Sequence, residues 1–334
     1  MLLSAGLGTR LRPVTDTFAK PAVPFLGVPL MYWSLEFLKE LKPDRVVANL
    51  HYLPDTIRPL ASKLSPLEMR FTFEKEKPLG SGGALWFAKK ELDDSETILV
   101  ANADEVILPV NANTLKRMVA QHEKTDSIAT LLTMRRPDAG VRFGGVWTGK
   151  DLNVMGFGFE RSAFPLATQA LHYVGVLLLN RRIFKYLPEG ESNILYDAVA
   201  KAIAQGERVN AFVENLVWHE TGNPADFLHA TYEMLEQLSP RGPASLAASM
   251  TQSIVSKYSP PETRMWESHS GAMLLASTYA AGSISESAIC EVLEKEKAFA
   301  VIGTDALIEK PVLNSVVFSN VRVSEEARGI IVSR

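Results

Sequence analysis

Short apolar runs alternate with longer amphipathic segments from residue 1 to residue 238. The apolar runs are nearly continuous, as is typical of parallel strands that are buried on both faces. They predict strands over 45–50, 97–101, 127–134 and 173–179, and the amphipathic segments predict helices over 29–41, 83–92, 113–124 and 193–205. Strands that alternate with helices indicate an α/β fold with a mostly parallel sheet covered by helices on both faces.

The helical spacing ends after Leu238, where a segment rich in proline, serine and charge indicates a linker over 239–270. Farther along, apolar residues recur every six positions, at Ile302 and Ile308 and again at Ala306, Val312 and Phe318. This period favours a coil of short parallel strands, and a few ordinary antiparallel strands are the alternative. We therefore predict one domain over 1–238 and a small β-domain over 271–334.

Length and composition narrow the class of protein. At roughly 150 residues per domain, the 334 residues correspond to two domains. The 35 basic and 38 acidic residues give a net charge of −3, so the chain has no basic excess for a nucleic-acid partner. The single cysteine, Cys290, excludes an intramolecular disulfide. With no apolar segment of membrane-spanning length and no visible secretory signal, we expect a cytoplasmic protein without a membrane partner.

The chain begins MLLSA, a predicted first strand of only five residues, and a glycine pair with three cations follows it directly. Residues 6–13, which we call the phosphate loop, read GLGTRLRP. Gly6 and Gly8 let the backbone approach a ligand and present N–H groups to phosphate oxygens. Arg10, Arg12 and Lys20 would add positive charge beside them. An ordinary strand-to-helix turn is the alternative, but the added cations favour a phosphate site.

The phosphate loop, followed by Lys20, strongly resembles the signature of the sugar-1-phosphate nucleotidylyltransferases. The resemblance implies a Rossmann-like catalytic fold that joins a nucleoside triphosphate to a sugar-1-phosphate, giving a nucleotide-sugar and pyrophosphate. It implies that Arg10, Lys20 and Asp104 are catalytic. It assigns nucleotide binding to Gly6, Leu7, Gly8, Thr9 and Arg10. Relatives usually carry a few more residues before this strand, so we interpret the start at Met1 as a clipped strand or a start codon assigned too far downstream.

A second glycine-rich segment extends the resemblance. Residues 78–85, PLGSGGAL, resemble the family's second glycine loop, which holds the nucleobase mainly through backbone groups. By that resemblance Gly80 and Gly83 contribute to nucleotide binding. The alternative is a simple loop into the helix that is predicted to start at Gly83.

Two carboxylates are implied as ligands of a Mg²⁺ ion. Asp104 follows a predicted strand in the segment Asn102-Ala103-Asp104, where the family usually has Asn-Gly-Asp or a close variant. Glu220 stands where the family has its second metal-binding aspartate. Carboxylate oxygens suit Mg²⁺, but Glu220 is one methylene longer than aspartate, and the ion tolerates little error in its octahedron. A lone aspartate such as Asp104 is otherwise a turn or capping residue.

The sugar-phosphate site is also implied by resemblance. Glu160 would accept hydroxyl groups of the sugar and Arg161 would hold its phosphate, at a place where the family commonly has Glu-Lys; a solvated pair on a loop is the alternative. Gly145 and Gly175 are assigned to the same site. Tyr173 replaces an asparagine that often contacts the sugar, which argues against the best-known sugar specificities.

We therefore expect a Mg²⁺-dependent transferase acting on a nucleoside triphosphate and a sugar-1-phosphate. GTP and mannose-1-phosphate rank first, because the six-residue period resembles the short left-handed β-helix appended to mannose-1-phosphate guanylyltransferases. There are three alternatives. The first is a uridylyl or thymidylyl transferase for another hexose-1-phosphate, and the second is a regulatory homologue that binds nucleotide-sugars without making them. The third is a transferase for phosphocholine. Appended C-terminal β-helices of this kind often mediate contacts between subunits, so we also expect a homo-oligomer.

Overall fold

The computed structural model describes residues 1–64, 67–92, 95–278, 280–282 and 284–333. The described chain forms two compact units, each assembled from separate stretches of sequence. The first unit contains Met1–Gly6 and Phe37–Leu216, and the second contains Leu7–Glu36 and Val217–Arg334. Residues 279, 283 and 334 of the predicted β-domain lie outside the described residues.

The helices in chain order are α1 (Leu30–Leu38), α2 (Pro54–Ile57), α3 (Gly80–Phe87), α4 (Thr114–Lys124), α5 (Ala200–Ala204), α6 (Pro224–Leu238), α7 (Leu246–Tyr258) and α8 (Glu286–Glu296). A π-helix over Ile194–Val199 runs directly into α5. Within the described ranges, no helix combines the length and the apolar character needed to cross a membrane.

The strands in chain order are β1 (Leu2–Leu3), β2 (Pro24–Phe25), β3 (Val28–Pro29), β4 (Arg45–Leu50), β5 (Glu68–Phe73), β6 (Thr97–Asn102), β7 (Val106–Pro109), β8 (Ala129–Met134), β9 (Gly145–Thr148), β10 (Val154–Gly158), β11 (Gln169–Asn180), β12 (Val209–Val213), β13 (Leu216–His219), β14 (Arg264–Glu267), β15 (Met273–Ala276), β16 (Ala280–Ala281), β17 (Phe299–Ile302), β18 (Leu307–Ile308), β19 (Val312–Leu313), β20 (Ser315–Val317), β21 (Arg322–Val323), β22 (Ala327–Arg328) and β23 (Ile331–Val332).

The first unit is built on a mixed sheet. β1 is parallel to β4 and to β6, and β4 is parallel to β5. The long strand β11 is antiparallel to β6, β8 and β9, whereas β8 is parallel to β12. Buried apolar side chains of β6, β8, β11, α3 and the π-helix pack in one core. The predicted α/β fold with a mostly parallel sheet and helices is confirmed, and the antiparallel pairs of β11 make the sheet mixed.

Most predicted elements of this unit are present with small shifts. The predicted strand 45–50 is β4, and the predicted helix 113–124 is α4 with its first residue, Asn113, as the N-cap. β11 begins at Gln169 rather than at 173, because residues 169–172 pair with β9. The predicted helix 193–205 begins as a π-helix, whose cap is the Asn193 side chain accepting from the backbone N–H groups of Leu195 and Tyr196.

The segment predicted as a linker is structured. Residues 239–270 contain α7 and β14, and α7 is capped by the Ser245 side chain, which accepts from the Ala248 N–H. Arg241 Nη2 lies 2.7 Å from Glu267 Oε1 and ties the two ends of this segment together. The compact units also do not divide at 238 or 270, so the predicted domain boundaries differ from the observed division.

The C-terminal strands form three short parallel stacks. These are β15-β17-β20-β23, β16-β18-β21 and β19-β22, and β14 joins the first stack in antiparallel pairing. Between the later layers the register advances by 15 residues, from Ala300 to Ser315 and from Val312 to Ala327, whereas the step from Met273 to Phe299, which contains α8, is 26 residues. The apolar residues of the six-residue pattern are buried, as expected. Parallel pairing excludes the alternative of ordinary antiparallel strands for these stacks.

The second unit also contains the chain that carries most of the phosphate loop. Phe18 meets Phe318 edge to face, with ring centroids 5.9 Å apart, and Tyr32 stacks on Tyr258 at 4.3 Å. The Lys257 ammonium lies 2.8 Å from a Glu36 carboxylate oxygen. Residues 7–36 therefore pack against the C-terminal part of the same unit, an association that the sequence pattern did not predict.

Candidate active site

The phosphate loop is held by a tight local turn. Gly8 has φ +62°, and a Cβ there would lie 2.8 Å from Thr15 Cγ2. The Thr15 hydroxyl donates to the Gly8 carbonyl at 2.8 Å, and the Leu11 N–H donates to the same carbonyl at 3.0 Å. A glycine is required here because only glycine adopts this backbone without strain and leaves room for Thr15.

The cations predicted for this loop lie beside it. A Cβ built on Gly8 would lie 3.4 Å from Lys20 Cβ. The chain at Lys20 therefore lies next to the glycine turn. The side chains of Arg10 and Arg12 are 70% and 58% exposed, which leaves their guanidinium groups accessible to an anionic ligand. The Arg12 guanidinium lies 3.4 Å from Asp16. The turn and its cations together form a surface suited to phosphate groups.

Glu220 lies close to one of these cations. Its Oε1 is 3.9 Å from Arg10 Nη2, and its side chain is 19% exposed. A Cβ on Gly222 would lie 2.1 Å from Glu220 Oε1 and 2.8 Å from Arg10 Nη2. Gly222 therefore leaves the space that this ion pair occupies, which explains the glycine two positions after Glu220.

In the first unit, an acidic group lies at the carboxyl end of β6. The half-buried residues Asp104 and Glu105 follow this strand, and Asn102 Nδ2 donates to Glu105 Oε1 at 2.9 Å. Gly175 has φ +81°, and a Cβ there would lie 2.6 Å from the same Glu105 oxygen. Burial, reinforced by the negative charge of Glu105, raises the pKa of Tyr173, which keeps its phenol neutral. The structure thus brings the predicted Gly175 to Glu105, a residue that sequence reasoning missed.

The remaining sugar-phosphate candidates lie on and after β9 and β10. Glu160 and Arg161 are exposed on the loop after β10. Gly145 pairs with His172 across β9 and β11, and a Cβ on Gly145 would lie 3.1 Å from Ala170 Cβ. Burial, together with the charge of Arg136, lowers the pKa of His172 to about 4, so its imidazole is neutral. Close packing therefore accounts for the glycine at 145 without a ligand.

The second glycine loop, residues 78–85, was predicted to lead into a helix at Gly83, but the helix α3 already begins at Gly80, and this segment packs tightly on residues 190–192. The N–H groups of Gly82 and Gly83 donate to the Ser192 carbonyl at 2.8 and 3.4 Å. A Cβ on Gly80 would lie 2.5 Å from that carbonyl oxygen, and one on Gly83 would lie 2.2 Å from the Gly190 carbonyl oxygen. Chain packing alone thus requires glycine at 80 and 83, which stay predictions as nucleotide-binding residues.

The metal prediction involves one carboxylate from each unit. Asp104 belongs to the first unit and Glu220 to the second. Over the described ranges, no group of three or more histidine, cysteine, aspartate or glutamate side chains is arranged to hold a metal ion. The two carboxylates supply hard oxygen donors, which are the ligands that Mg²⁺ takes together with water and substrate phosphates.

An α/β sheet whose first strand leads into a glycine turn beside arginine and lysine side chains is an arrangement suited to binding phosphate groups. Residues 1–237 match the nucleotidyl transferase family, and the chain belongs to this family. The resemblance to sugar-1-phosphate nucleotidylyltransferases is thereby confirmed.

Curated relatives act on sugar phosphates, as their names state. The chain is 27% identical over 252 residues to mannose-1-phosphate guanylyltransferase 1 of Arabidopsis thaliana, covering 74% of this chain and 68% of that protein. It is 26% identical over 252 residues to the UTP–glucose-1-phosphate uridylyltransferase of a Synechocystis strain, covering 71% of this chain and 63% of that protein. The chain thus spans somewhat less than two thirds of the second relative.

Solved structures share the fold. HddC from Yersinia pseudotuberculosis, crystallised with GMP-PN, superposes with a TM-score of 0.56 at 24% identity, over 70% of this chain and 97% of that one. The inositol-1-phosphate CTP transferase of T. maritima superposes with a TM-score of 0.58 at 19% identity, over 76% and 94% of the two chains.

Proposed function

We propose that this protein transfers a nucleotidyl group from a nucleoside triphosphate to a sugar-1-phosphate. The observation that carries the proposal is the glycine turn at Gly8, against which Lys20 packs and beside which Arg10 is exposed. Membership of the nucleotidyl transferase family supports it. In that role Gly6, Leu7, Gly8, Thr9 and Arg10 bind the nucleotide.

The chemistry requires positioning and charge neutralisation more than a protein nucleophile. An oxygen of the sugar phosphate forms a bond to the α-phosphorus of the triphosphate. The bond from that phosphorus to the oxygen bridging the β-phosphorus breaks, and pyrophosphate leaves with the electron pair. Arg10, Lys20 and Arg161 neutralise the phosphates, and Glu160 accepts hydroxyl groups of the sugar.

Asp104 and Glu220 are the residues that we propose to hold Mg²⁺. When bound, the ion supplies positive charge to the triphosphate oxygens and the leaving pyrophosphate. The hard carboxylate donors fit this ion. Arg10 Nη2 lies 3.9 Å from Glu220 Oε1, and this contact orients the carboxylate in the absence of the ion.

GTP and mannose-1-phosphate are the first proposed substrates, supported by the Arabidopsis relative. A uridylyl transferase for glucose-1-phosphate is supported by the Synechocystis relative. A regulatory protein that binds nucleotide-sugars without making them is favoured by the departures at Glu220, Arg161 and Tyr173. We further propose a cytoplasmic homo-oligomer whose three parallel stacks form a short left-handed β-helix, which the parallel pairing within each stack supports.

One panel tests the function. Each nucleoside triphosphate is mixed with mannose-1-phosphate, glucose-1-phosphate and phosphocholine, with Mg²⁺ or with excess EDTA, and pyrophosphate release is measured. We expect turnover only with Mg²⁺ and a sugar phosphate. Binding of nucleotide-sugar without turnover would instead establish the regulatory alternative, and turnover with phosphocholine would overturn the sugar assignment.

Asp104→Asn tests the metal assignment. Loss of one carboxylate charge at a divalent ion should lower kcat by about 100-fold or more, with an unchanged melting temperature. Asp55→Asn is the matched control, because Asp55 is also in the first unit and its side chain is 92% exposed. Normal turnover by Asp104→Asn would remove Asp104 from the metal site.

A further inference from the structure

A chain of buried polar groups runs through the first unit. Ser4, Asn49 and Glu74 are 2%, 4% and 5% exposed. The Ser4 N–H donates to Asn49 Oδ1 at 2.9 Å, and Asn49 Nδ2 donates to Glu74 Oε1 at 2.6 Å. The Leu79 N–H donates to the other oxygen, Glu74 Oε2, at 2.6 Å. Both oxygens of a buried carboxylate are thus satisfied by donors from different parts of the chain.

These residues lie at the carboxyl ends of three neighbouring parallel strands. Ser4 follows β1, Asn49 is in β4, and Glu74 follows β5. Ser4 stands two positions before Gly6 at the start of the phosphate loop, and Leu79 immediately precedes Gly80 in the second glycine loop. The hydrogen bonds therefore join the entry of one predicted nucleotide-binding loop to the entry of the other.

Further contacts fix the same groups in place. The Ser4 hydroxyl donates to the Asn49 carbonyl at 2.5 Å, and His51 Nδ1 lies 2.7 Å from the Glu74 carbonyl oxygen. A buried carboxylate costs free energy unless it is fully hydrogen-bonded, and apolar residues of similar volume often stabilise a core better. General stability is therefore a poor reason for a charge at position 74.

We infer that Glu74 is a positioning residue that, through Asn49, holds the entries of the two glycine loops at a fixed separation for one nucleotide. The inference rests on the proposed function, since it assumes that both loops contact the same ligand. Glu74 touches neither ligand nor reacting atoms in this role. Its carboxylate acts as a double acceptor, for which a neutral amide is a poor substitute because it has only one acceptor oxygen.

Glu74→Gln tests the role of the charge. The new amide has one acceptor for the two donors Asn49 Nδ2 and Leu79 N–H, so one of these stays unsatisfied. We expect the KM and the Kd for the nucleoside triphosphate to rise by about 10-fold. We expect kcat to change by less than about threefold, because loops that bind ground state and transition state alike affect KM alone.

An exchange of the two side chains should restore binding. In the double variant Glu74→Gln with Asn49→Asp, the carboxylate at 49 accepts from the Ser4 N–H and from the amide at 74. The amide oxygen at 74 then accepts from the Leu79 N–H. The pattern of donors and acceptors is complete again, so we expect KM and Kd within about threefold of the wild-type values.

Glu214→Gln is the matched control. Glu214 is a similarly buried carboxylate of the first unit, hydrogen-bonded by Asn111 and Arg117. Its loss should lower the melting temperature without changing KM for the nucleotide. If Glu74→Gln behaves in the same way, or if the exchange variant fails to recover nucleotide binding, Glu74 has a structural role only and the inference is wrong.

Two measurements separate this inference from the proposed function. Titration of the wild-type protein with each nucleoside triphosphate gives Kd without turnover. If the wild type binds nucleotide but releases no pyrophosphate, the proposed function fails and the Kd series still decides the role of Glu74. If the wild type binds no nucleotide, both the proposed function and the role of Glu74 are overturned.

Should Glu74→Gln fail to fold, Glu74→Asp takes its place, since the shorter carboxylate keeps the charge but cannot reach both donors.

Discussion

At the scale of single residues, the backbone at Gly175 determines where Glu105 can lie. Gly175 has a left-handed φ of +81°, and because it lacks a Cβ it leaves free the space that Glu105 Oε1 and Asn102 Nδ2 occupy. Asn102 holds the carboxylate by a hydrogen bond of 2.9 Å. A glycine in β11 therefore supports an acidic group after β6, although the two positions are far apart in the sequence.

Gly175→Ala should destabilise the protein by two separable effects. The left-handed backbone costs about 1 kcal/mol or more for alanine, and displacement of Glu105 adds about 1 kcal/mol for its lost hydrogen bond. Gly190→Ala is the control for the first effect, since Gly190 has φ +90° and no described atom within 4 Å of its Cβ position. Urea unfolding should show the larger loss for Gly175→Ala. The excess should shrink in the double variant with Glu105→Ala, in which only the Asn102 side chain remains close to the new Cβ, and equal losses for the two alanines would contradict this account.

Some site residues could be predicted from the sequence because their contacts are local. The glycine turn at Gly8 and its neighbour Lys20 lie within a few positions of each other, so the motif itself reports their proximity. Glu74 and Glu105 were missed for the opposite reason. Their partners, Asn49 and Gly175, are reached only after the sheet has formed, and a lone carboxylate in a sequence carries no sign of such a partner.

At the scale of secondary structure, a buried carboxylate joins α4 to the end of β12. Glu214 follows β12 and accepts hydrogen bonds from Arg117 on α4 and from Asn111 before that helix. Burial opposes ionisation, but the hydrogen bonds from Asn111, the Asn215 N–H and Arg117, with the Arg117 charge, lower the pKa of Glu214 below its ordinary value.

Glu214→Gln should therefore have a pH-dependent effect on stability. A lowered folded-state pKa stabilises the native protein above the unfolded-state pKa, near 4.5, and this stabilisation is lost as the pH falls through the folded-state value. We expect the wild type to be more stable than the variant by about 1–2 kcal/mol at pH 7. The difference should shrink below pH 4.5. Denaturant unfolding at several pH values measures it, and a constant difference would show that the charge is not responsible.

Elements with a regular apolar pattern were predictable, whereas those set by context were not. β4 is a nearly continuous apolar run and was placed without error. Helix α7 was missed, because the proline and serine around it suggested a linker while its Ser245 cap and its buried apolar residues provide the stability. The π-helical turn at Ile194–Val199 was also missed, since the same apolar spacing is compatible with an ordinary helix.

At the scale of the whole chain, folding units do not follow the order of the sequence. The phosphate loop comes near the beginning of the chain, yet residues 7–36 belong to the same compact unit as the C-terminal stacks. Sequence reasoning places boundaries where composition changes, and it therefore separated two segments that pack together. The edge-to-face contact of Phe18 with Phe318 is direct evidence of this packing.

Phe318→Ala should consequently weaken nucleotide binding from the opposite end of the sequence. Phe318 is buried, and Phe18, its partner, lies two positions before Lys20. Removal of the ring leaves a cavity that costs about 3–5 kcal/mol, and it frees Phe18 and the chain toward Lys20 to move. We expect KM for the nucleoside triphosphate to rise several-fold.

Ile308→Ala, a large-to-small change at a fully buried position in β18, is the control that should destabilise the same stacks without raising KM. If both variants raise KM equally, general loosening of the unit explains the effect. If only Phe318→Ala does, the C-terminal stacks support the phosphate loop through this aromatic pair.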